Sequence, residues 1–233
     1  MELYTLILVH ISTSMISLVG FYLFFKLFKK YRENMLLPTL FLALYVLFLA
    51  IEYIFTLLLR FPTEEVNIAH TTILIPFVVF VTNLSAPFFS ASFAAFTLAP
   101  KYGKYLTVAP LILTICSLTL IFLYPPVWQT AKGGIVELVV HENAITAIWI
   151  TIIVSFIAPI YLVFYTIIVK GHENKLKGFL VTVSLFVLAW FVCYQENFGA
   201  GTVIYLRRIF ILIAILVLYL GFTMPKWLAL KRD

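Results

Sequence analysis

Charge is scarce in this chain. Only 11% of its 233 residues are Asp, Glu, Lys or Arg, whereas 64% are hydrophobic and 17% are aromatic. A water-soluble domain of this composition would carry far more apolar side chain than a single core can bury. The composition therefore excludes an ordinary soluble domain and leaves lipid as the solvent in which we expect the chain to fold.

Residues that hold metals, cofactors and disulfides are also few. The two cysteines, Cys116 and Cys193, lie in apolar segments, where free cysteine usually packs as a small side chain. The histidines are scattered, without the spacing of a zinc site or the facing pair that binds haem: His10, His70, His141 and His172. The sequence contains no glycine-rich phosphate loop and no nucleophile elbow. We therefore expect no cofactor, no metal centre and no catalytic activity.

Apolar segments long enough to cross a bilayer are abundant. A transmembrane helix needs about 20 mostly apolar residues to cross a hydrocarbon core of roughly 30 Å. Seven segments meet this length, at residues 4–25, 36–59, 71–99, 105–123, 144–169, 178–194 and 202–223. At roughly 22 residues each they use about 155 residues, so we predict one all-α, seven-helix transmembrane domain over residues 1–233. In the longest connection, residues 134–141 alternate in hydrophobicity, which is typical of a short hairpin or of a segment at the membrane surface.

The basic residues predict the orientation of these spans. One side of the membrane collects twelve of them: Lys26, Lys29, Lys30, Arg32, Lys101, Lys104, Lys170, Lys175, Lys177, Lys226, Lys231 and Arg232. The other side has four: Arg60, Lys132, Arg207 and Arg208. Because loops rich in Lys and Arg stay in the cytoplasm, we predict an outside N-terminus and a cytoplasmic C-terminus. The same rule accounts for the net charge of +6, so we expect a multi-pass protein of the cell membrane whose partner is the lipid bilayer and not nucleic acid.

Glu52 is the clearest candidate for a functional residue, since an ionisable group inside a span costs several kcal/mol unless it is paired or hydrated. It precedes Arg60 by eight residues, which places it about 12 Å along the helix, in the outer half of the membrane. Tyr45, Phe48 and Phe55 share its helix face at spacings of three and four residues. Two interpretations remain open: a protonated or hydrogen-bonded carboxyl that packs between helices, or a group that contacts a ligand or senses protons.

Two other polar positions lie in apolar spans. His10 precedes Lys26 by sixteen residues, about 24 Å along the first helix, which also places it in the outer half. Asn83 lies in the third span close to Pro87, which frees a backbone carbonyl that another donor must satisfy. Each has a structural interpretation as well: hydrogen bonds within the helix for His10, and a helix kink for Asn83 and Pro87.

The last outer loop carries the remaining candidates. Tyr194 and Glu196 precede this loop's end, and Arg207 and Arg208 follow it. Snorkelling of the arginines to the membrane surface, or ordinary polar bonds between helices, would account for them. The alternative hypothesis is an outward-open polar pocket in which these four residues, with Glu52, His10 and Asn83, bind a small ligand or ion.

The end of the last span resembles a known junction. Residues 218–228 read Leu-Tyr-Leu-Gly-Phe-Thr-Met-Pro-Lys-Trp-Leu. This run is similar to the segment that closes the seven-helix N-terminal sensor module of some membrane histidine kinases. The resemblance covers about eleven residues, together with the helix count and orientation. It implies a receptor-like input domain that senses a ligand on the outer side and signals through its last helix.

Only six residues follow Trp227, too few for an attached kinase, so the expected output passes to a cytoplasmic or membrane signalling partner. The alternative is a sensor module cut from a longer protein. The function that we predict is recognition of a small ligand or ion from the extracytoplasmic side, without catalysis. The competing hypothesis is a small transporter or channel that uses Glu52 as its coupling site and needs a hydrated path to the inner face.

Overall fold

The computed structural model describes residues 3–58, 75–125, 127–130, 136–139, 142–191 and 204–223. Over these ranges the chain is helical apart from one two-stranded hairpin. Its helices are α1 (Leu3–Asn34), α2 (Leu37–Leu58), α3 (Ile75–Leu98), α4 (Gly103–Leu106), α5 (Val108–Leu123), α6 (Glu142–Ile168), α7 (His172–Leu188) and α8 (Ile204–Thr223). The hairpin joins β1 (Val127–Thr130) to β2 (Val136–Val139) as antiparallel strands, and β2 lies in the segment with alternating hydrophobicity.

Five stretches in the described part of the chain are helical, long enough and apolar enough to cross a membrane: 10–34, 37–57, 103–123, 145–168 and 174–191. They support a helical membrane protein. Helices α3 and α8 are not among these five stretches, so the count of seven spans stays a prediction.

The distribution of side chains over the surface also suits lipid. Leu18, Ile167 and Ile168 are each 70% exposed. Glu52 and Arg208, by contrast, are buried inside the bundle. Apolar side chains outside and ionisable ones inside are typical of transmembrane bundles, because hydrocarbon chains cannot solvate charge.

The helices close into a ring. Helix α1 packs on α2 and on α8, α2 packs on α3, α3 on α6, α6 on α7, and α7 on α8; helix α5 packs against α3 and α6. Small residues permit the closest approaches. A Cβ atom added at Gly20 of α1 would lie 2.9 Å from the Cβ of Ala50 in α2, so these two helices touch at the backbone, as small residues allow in membranes.

The main departures from the predicted spans lie at the ends that the basic residues predict to be cytoplasmic. Helix α1 continues to Asn34, nine residues past the predicted boundary, because Lys and Arg are good helix formers and this segment keeps tertiary contacts. Leu27 is buried, and Lys30 Nζ lies 4.4 Å from the ring centroid of Phe222 in α8. Helix α7 likewise begins at His172, six residues before the predicted start.

Candidate functional site

A buried carboxyl lies between α2 and α3. Glu52 is 4% exposed, and its Oε1 accepts a hydrogen bond of 2.9 Å from Nδ2 of Asn83, which is 8% exposed. The two residues come from adjacent antiparallel helices, so their side chains meet across one helix contact. An amide donor lowers the cost of placing this carboxyl away from water.

A buried guanidinium lies in the same bundle. Arg208 of α8 is 0% exposed, and its Nη1 donates a hydrogen bond to Oγ1 of Thr13 in α1. Its Cζ also lies 5.3 Å from the ring centroid of Tyr53, a cation–π distance. The side chain is therefore held inside the protein. The sequence alone allows Arg208 to snorkel to the membrane surface. In the structure its side chain is buried in the bundle instead.

These contacts form one polar layer, which we define as Thr13, Glu52, Tyr53, Asn83 and Arg208. Tyr53 follows Glu52 directly in α2. The aromatic ring next to the guanidinium and the buried carboxyl therefore belong to consecutive residues. The layer draws on α1, α2, α3 and α8 and includes one acidic and one basic side chain. Each of the two ionisable side chains is hydrogen-bonded to a neighbouring helix, which offsets part of the cost of removing it from water.

A narrow cleft with room for about one water-sized group lies beside the polar layer. Its walls come from α2, α3, α6 and the end of α7: Tyr45, Leu49, Asn83, Ala86, Pro87, Ser90, Ser155, Leu185 and Ala189. Tyr45 and Leu49 precede Glu52 by seven and three residues, so the cleft extends about 5–10 Å from Glu52 toward the predicted cytoplasmic end. Asn83 belongs both to the polar layer and to the cleft wall.

Two helices that form this cleft each contain a proline. Pro87 lies inside α3 and Pro159 inside α6. Proline has no N–H, so the carbonyls four residues earlier, those of Asn83 and Ser155, lack their helical donors. Both of these residues line the cleft. The hydroxyls nearby bond within their own helices: Ser90 Oγ donates to the Pro87 carbonyl at 2.9 Å, and Ser155 Oγ donates to the Thr151 carbonyl at 2.7 Å.

The structure brings together only some of the residues singled out from the sequence. Glu52 and Asn83 share a hydrogen bond, and Arg208 lies in the same layer. His10 is half-buried on α1, one turn before Thr13, and Arg207 is buried on α8. Tyr194 and Glu196 lie outside the described residues.

Other members of the site were not singled out from the sequence. In the sequence, Tyr53 resembles the other aromatic residues of the apolar spans. Its position next to Glu52 is the one feature that indicates a place in the site. Ser90 and Ser155 each lie within four residues of a proline inside a span, which is where freed carbonyls attract polar neighbours.

Metal-binding clusters of the usual kind do not occur in the described part of the chain, where no group of three or more His, Cys, Asp or Glu residues is close enough to hold an ion. Comparison of the chain with known protein families, curated proteins and solved structures finds no match.

Proposed function

We propose that this protein is a receptor-like, seven-span protein of the cell membrane that recognises a small ligand or ion from the extracytoplasmic side. It has its N-terminus outside and its C-terminus in the cytoplasm, has no catalytic activity, and passes its signal to a partner, as the resemblance to histidine kinase sensor modules implies. The observation that carries the proposal is the polar layer. Its acidic and basic side chains lie in the half of the bundle that the basic residues predict to be extracytoplasmic.

The mechanism is a population shift of α8. Arg208 holds α8 to α1 through Thr13, and Glu52 holds α2 to α3 through Asn83. A ligand or proton that neutralises or competes for these groups changes the relative free energies of two packings of the ring. Helix α8 is suited to carry that change inward, because near its inner end Phe222 contacts Lys30 of α1.

Packing of the inner half favours a sensor over a transporter. Toward the predicted cytoplasmic end, large apolar side chains from α1, α2, α7 and α8 are buried: Leu23, Leu27, Leu42, Val181 and Leu218. A transporter or channel needs a hydrated path through this half of the bundle at some stage. A tightly packed apolar core there supports a protein that changes conformation without conducting.

Removing the charge of Glu52 should move the inner ends of the helices. We expect Glu52→Gln to shift the distance distribution between spin labels at Lys29→Cys of α1 and Lys175→Cys of α7, both exposed positions. The measurement is electron–electron double resonance on the reconstituted chain, with Cys116 and Cys193 replaced by serine. The control is Glu142→Gln, since Glu142 is an exposed carboxyl at the start of α6, and this variant should leave the distribution unchanged.

Liposomes that contain the wild-type protein should show no flux of H⁺, Na⁺ or K⁺ above protein-free liposomes. An unchanged label distance in Glu52→Gln, together with flux that this variant abolishes, would contradict the sensor and establish the transporter.

A further inference from the structure

The last turns of α1 present an exposed face on which aromatic and basic side chains alternate. We call it the α1 basic face and define it by six exposed residues: Tyr22, Phe25, Lys26, Phe28, Lys29 and Arg32. At 3.6 residues per turn these six positions fall within an arc of about 160° around the helix. Leu23 and Leu27, on the other side of the same turns, are buried in the bundle.

The packing of α1 on α2 sets the depth of this face in the membrane. Residues 35–36 alone join the two helices, which therefore run antiparallel, and Gly20 lies against Ala50. Counting six residues from that contact along each helix, Lys26 lies beside about position 44 of α2. The apolar run of α2 begins at position 36, so Lys26 lies roughly 12 Å inside the end of that run.

The turn that joins the two helices is apolar as well. Met35, Leu36 and Leu37 are all exposed. Three consecutive large apolar side chains suit the membrane surface better than bulk water. A lipid position for this turn places Lys26 and Lys29, which lie deeper along the same pair of helices, at the level of the lipid headgroups or below it.

Charge complementarity indicates what covers the α1 basic face. It has three cations, and Glu33, also exposed on this side of the helix, is the acidic residue next to them, so positive charge is in excess. The first turn of α2 adds no acidic side chain. Lysine and arginine at the membrane surface attract anionic lipids, and aromatic rings favour the headgroup level. Lys26 Nζ already lies 5.6 Å from the ring centroid of Tyr22, a combination of cation and ring that suits this level.

We propose that the α1 basic face binds one anionic phospholipid in the leaflet that the basic residues predict to be cytoplasmic. Lys26, Lys29 and Arg32 bind its phosphate, and the aromatic rings of the face contact the start of its acyl chains. The bound lipid stabilises the end of α1 that contacts α8 through Lys30 and Phe222. This inference goes beyond the proposed function, because a sensor and a transporter with this fold would both bind the lipid.

The experiment is native mass spectrometry of the purified full chain, titrated in detergent with palmitoyl-oleoyl phosphatidylglycerol or with phosphatidylcholine of the same acyl chains. We expect the wild-type protein to retain one phosphatidylglycerol and to prefer it over phosphatidylcholine at least roughly tenfold. The triple variant Lys26→Gln, Lys29→Gln, Arg32→Gln should lose this preference. Free glycerol phosphate should not displace the lipid, since it lacks the acyl chains that the aromatic rings contact.

Two matched variants separate a site from general attraction and from misfolding. Lys101→Gln, Lys104→Gln, Lys175→Gln removes the same number of charges from exposed lysines on the same predicted side and should keep the preference. The charge-conserving variant Lys26→Arg, Lys29→Arg, Arg32→Lys should keep it too.

Four results would overturn the lipid site. Equal affinity of the wild-type protein for the two lipids means that the face does not select charge. An equal loss in the two glutamine variants means that net charge alone attracts the lipid. A lost preference in the charge-conserving variant means that the cations do not act through their charge, and displacement by free glycerol phosphate means that the face binds anions and not a lipid.

Discussion

Replacing Arg208 by methionine is expected to lower the free energy of unfolding by about 3–5 kcal/mol, the loss typical when one partner of a buried charged network is removed. The side chain is 0% exposed and bonds Thr13 across the α1–α8 contact. Methionine fills much of the volume but donates nothing. The Thr13 hydroxyl then loses its donor, and Glu52 loses the positive charge in its layer.

The measurement is a thermal melt followed by tryptophan fluorescence in one detergent. At about 2–4 °C per kcal/mol for a chain of this size, Arg208→Met should melt roughly 6–20 °C below wild type. Arg32→Met is the control, since Arg32 is an exposed arginine in the last turn of α1, and it should melt close to wild type. Equal melting temperatures for the two variants would mean that Arg208 does not hold the ring closed.

The second large effect concerns the hydrogen-bond acceptor on the side chain at position 52. Glu52→Leu removes both the charge and the acceptor of the Asn83 amide, whereas Glu52→Gln keeps an oxygen that accepts the same bond. An unsatisfied buried donor costs about 1–3 kcal/mol. We therefore expect Glu52→Leu to be less stable than Glu52→Gln by that amount, measured by the same thermal melts.

Asn83→Leu provides the control for this comparison. Once the amide is gone, the advantage of glutamine over leucine at position 52 that comes from this bond should disappear. If Glu52→Leu were as stable as Glu52→Gln in the wild-type background, the hydrogen bond between Glu52 and Asn83 would not contribute to the stability of the fold.

Local sequence predicts where the helices of this protein lie in the chain better than it predicts which helices pack against each other. The apolar lengths place most helix boundaries within a few residues, and the isolated carboxyl in α2 identifies Glu52 as a buried group. The hydropathy pattern predicts that Lys30 lies in a loop, because it equates the membrane boundary with the end of the helix. The contact of Lys30 with Phe222 of α8 depends on the ring of helices, which no local pattern encodes.

The partner of Arg208 is the clearest example of what local patterns omit. Thr13 is 195 positions away in the sequence, and the two meet only because α8 returns to pack on α1. A basic residue near a span end is ordinarily assigned to the membrane surface, so its burial follows from ring closure alone. The cleft is similar, since Asn83 and Ser155 reach one wall only through the packing of α3 on α6.

The central claim is that opposite charges in one buried layer hold the bundle together, and a double-mutant cycle tests it most directly. Stability is measured for Glu52→Gln, for Arg208→Met and for the chain with both changes. We predict that the double variant loses less than the sum of the single losses, by about 0.5–3 kcal/mol, as expected for coupled neighbours. Losses that add within about 0.3–0.5 kcal/mol would show that Glu52 and Arg208 act independently, and would contradict the account.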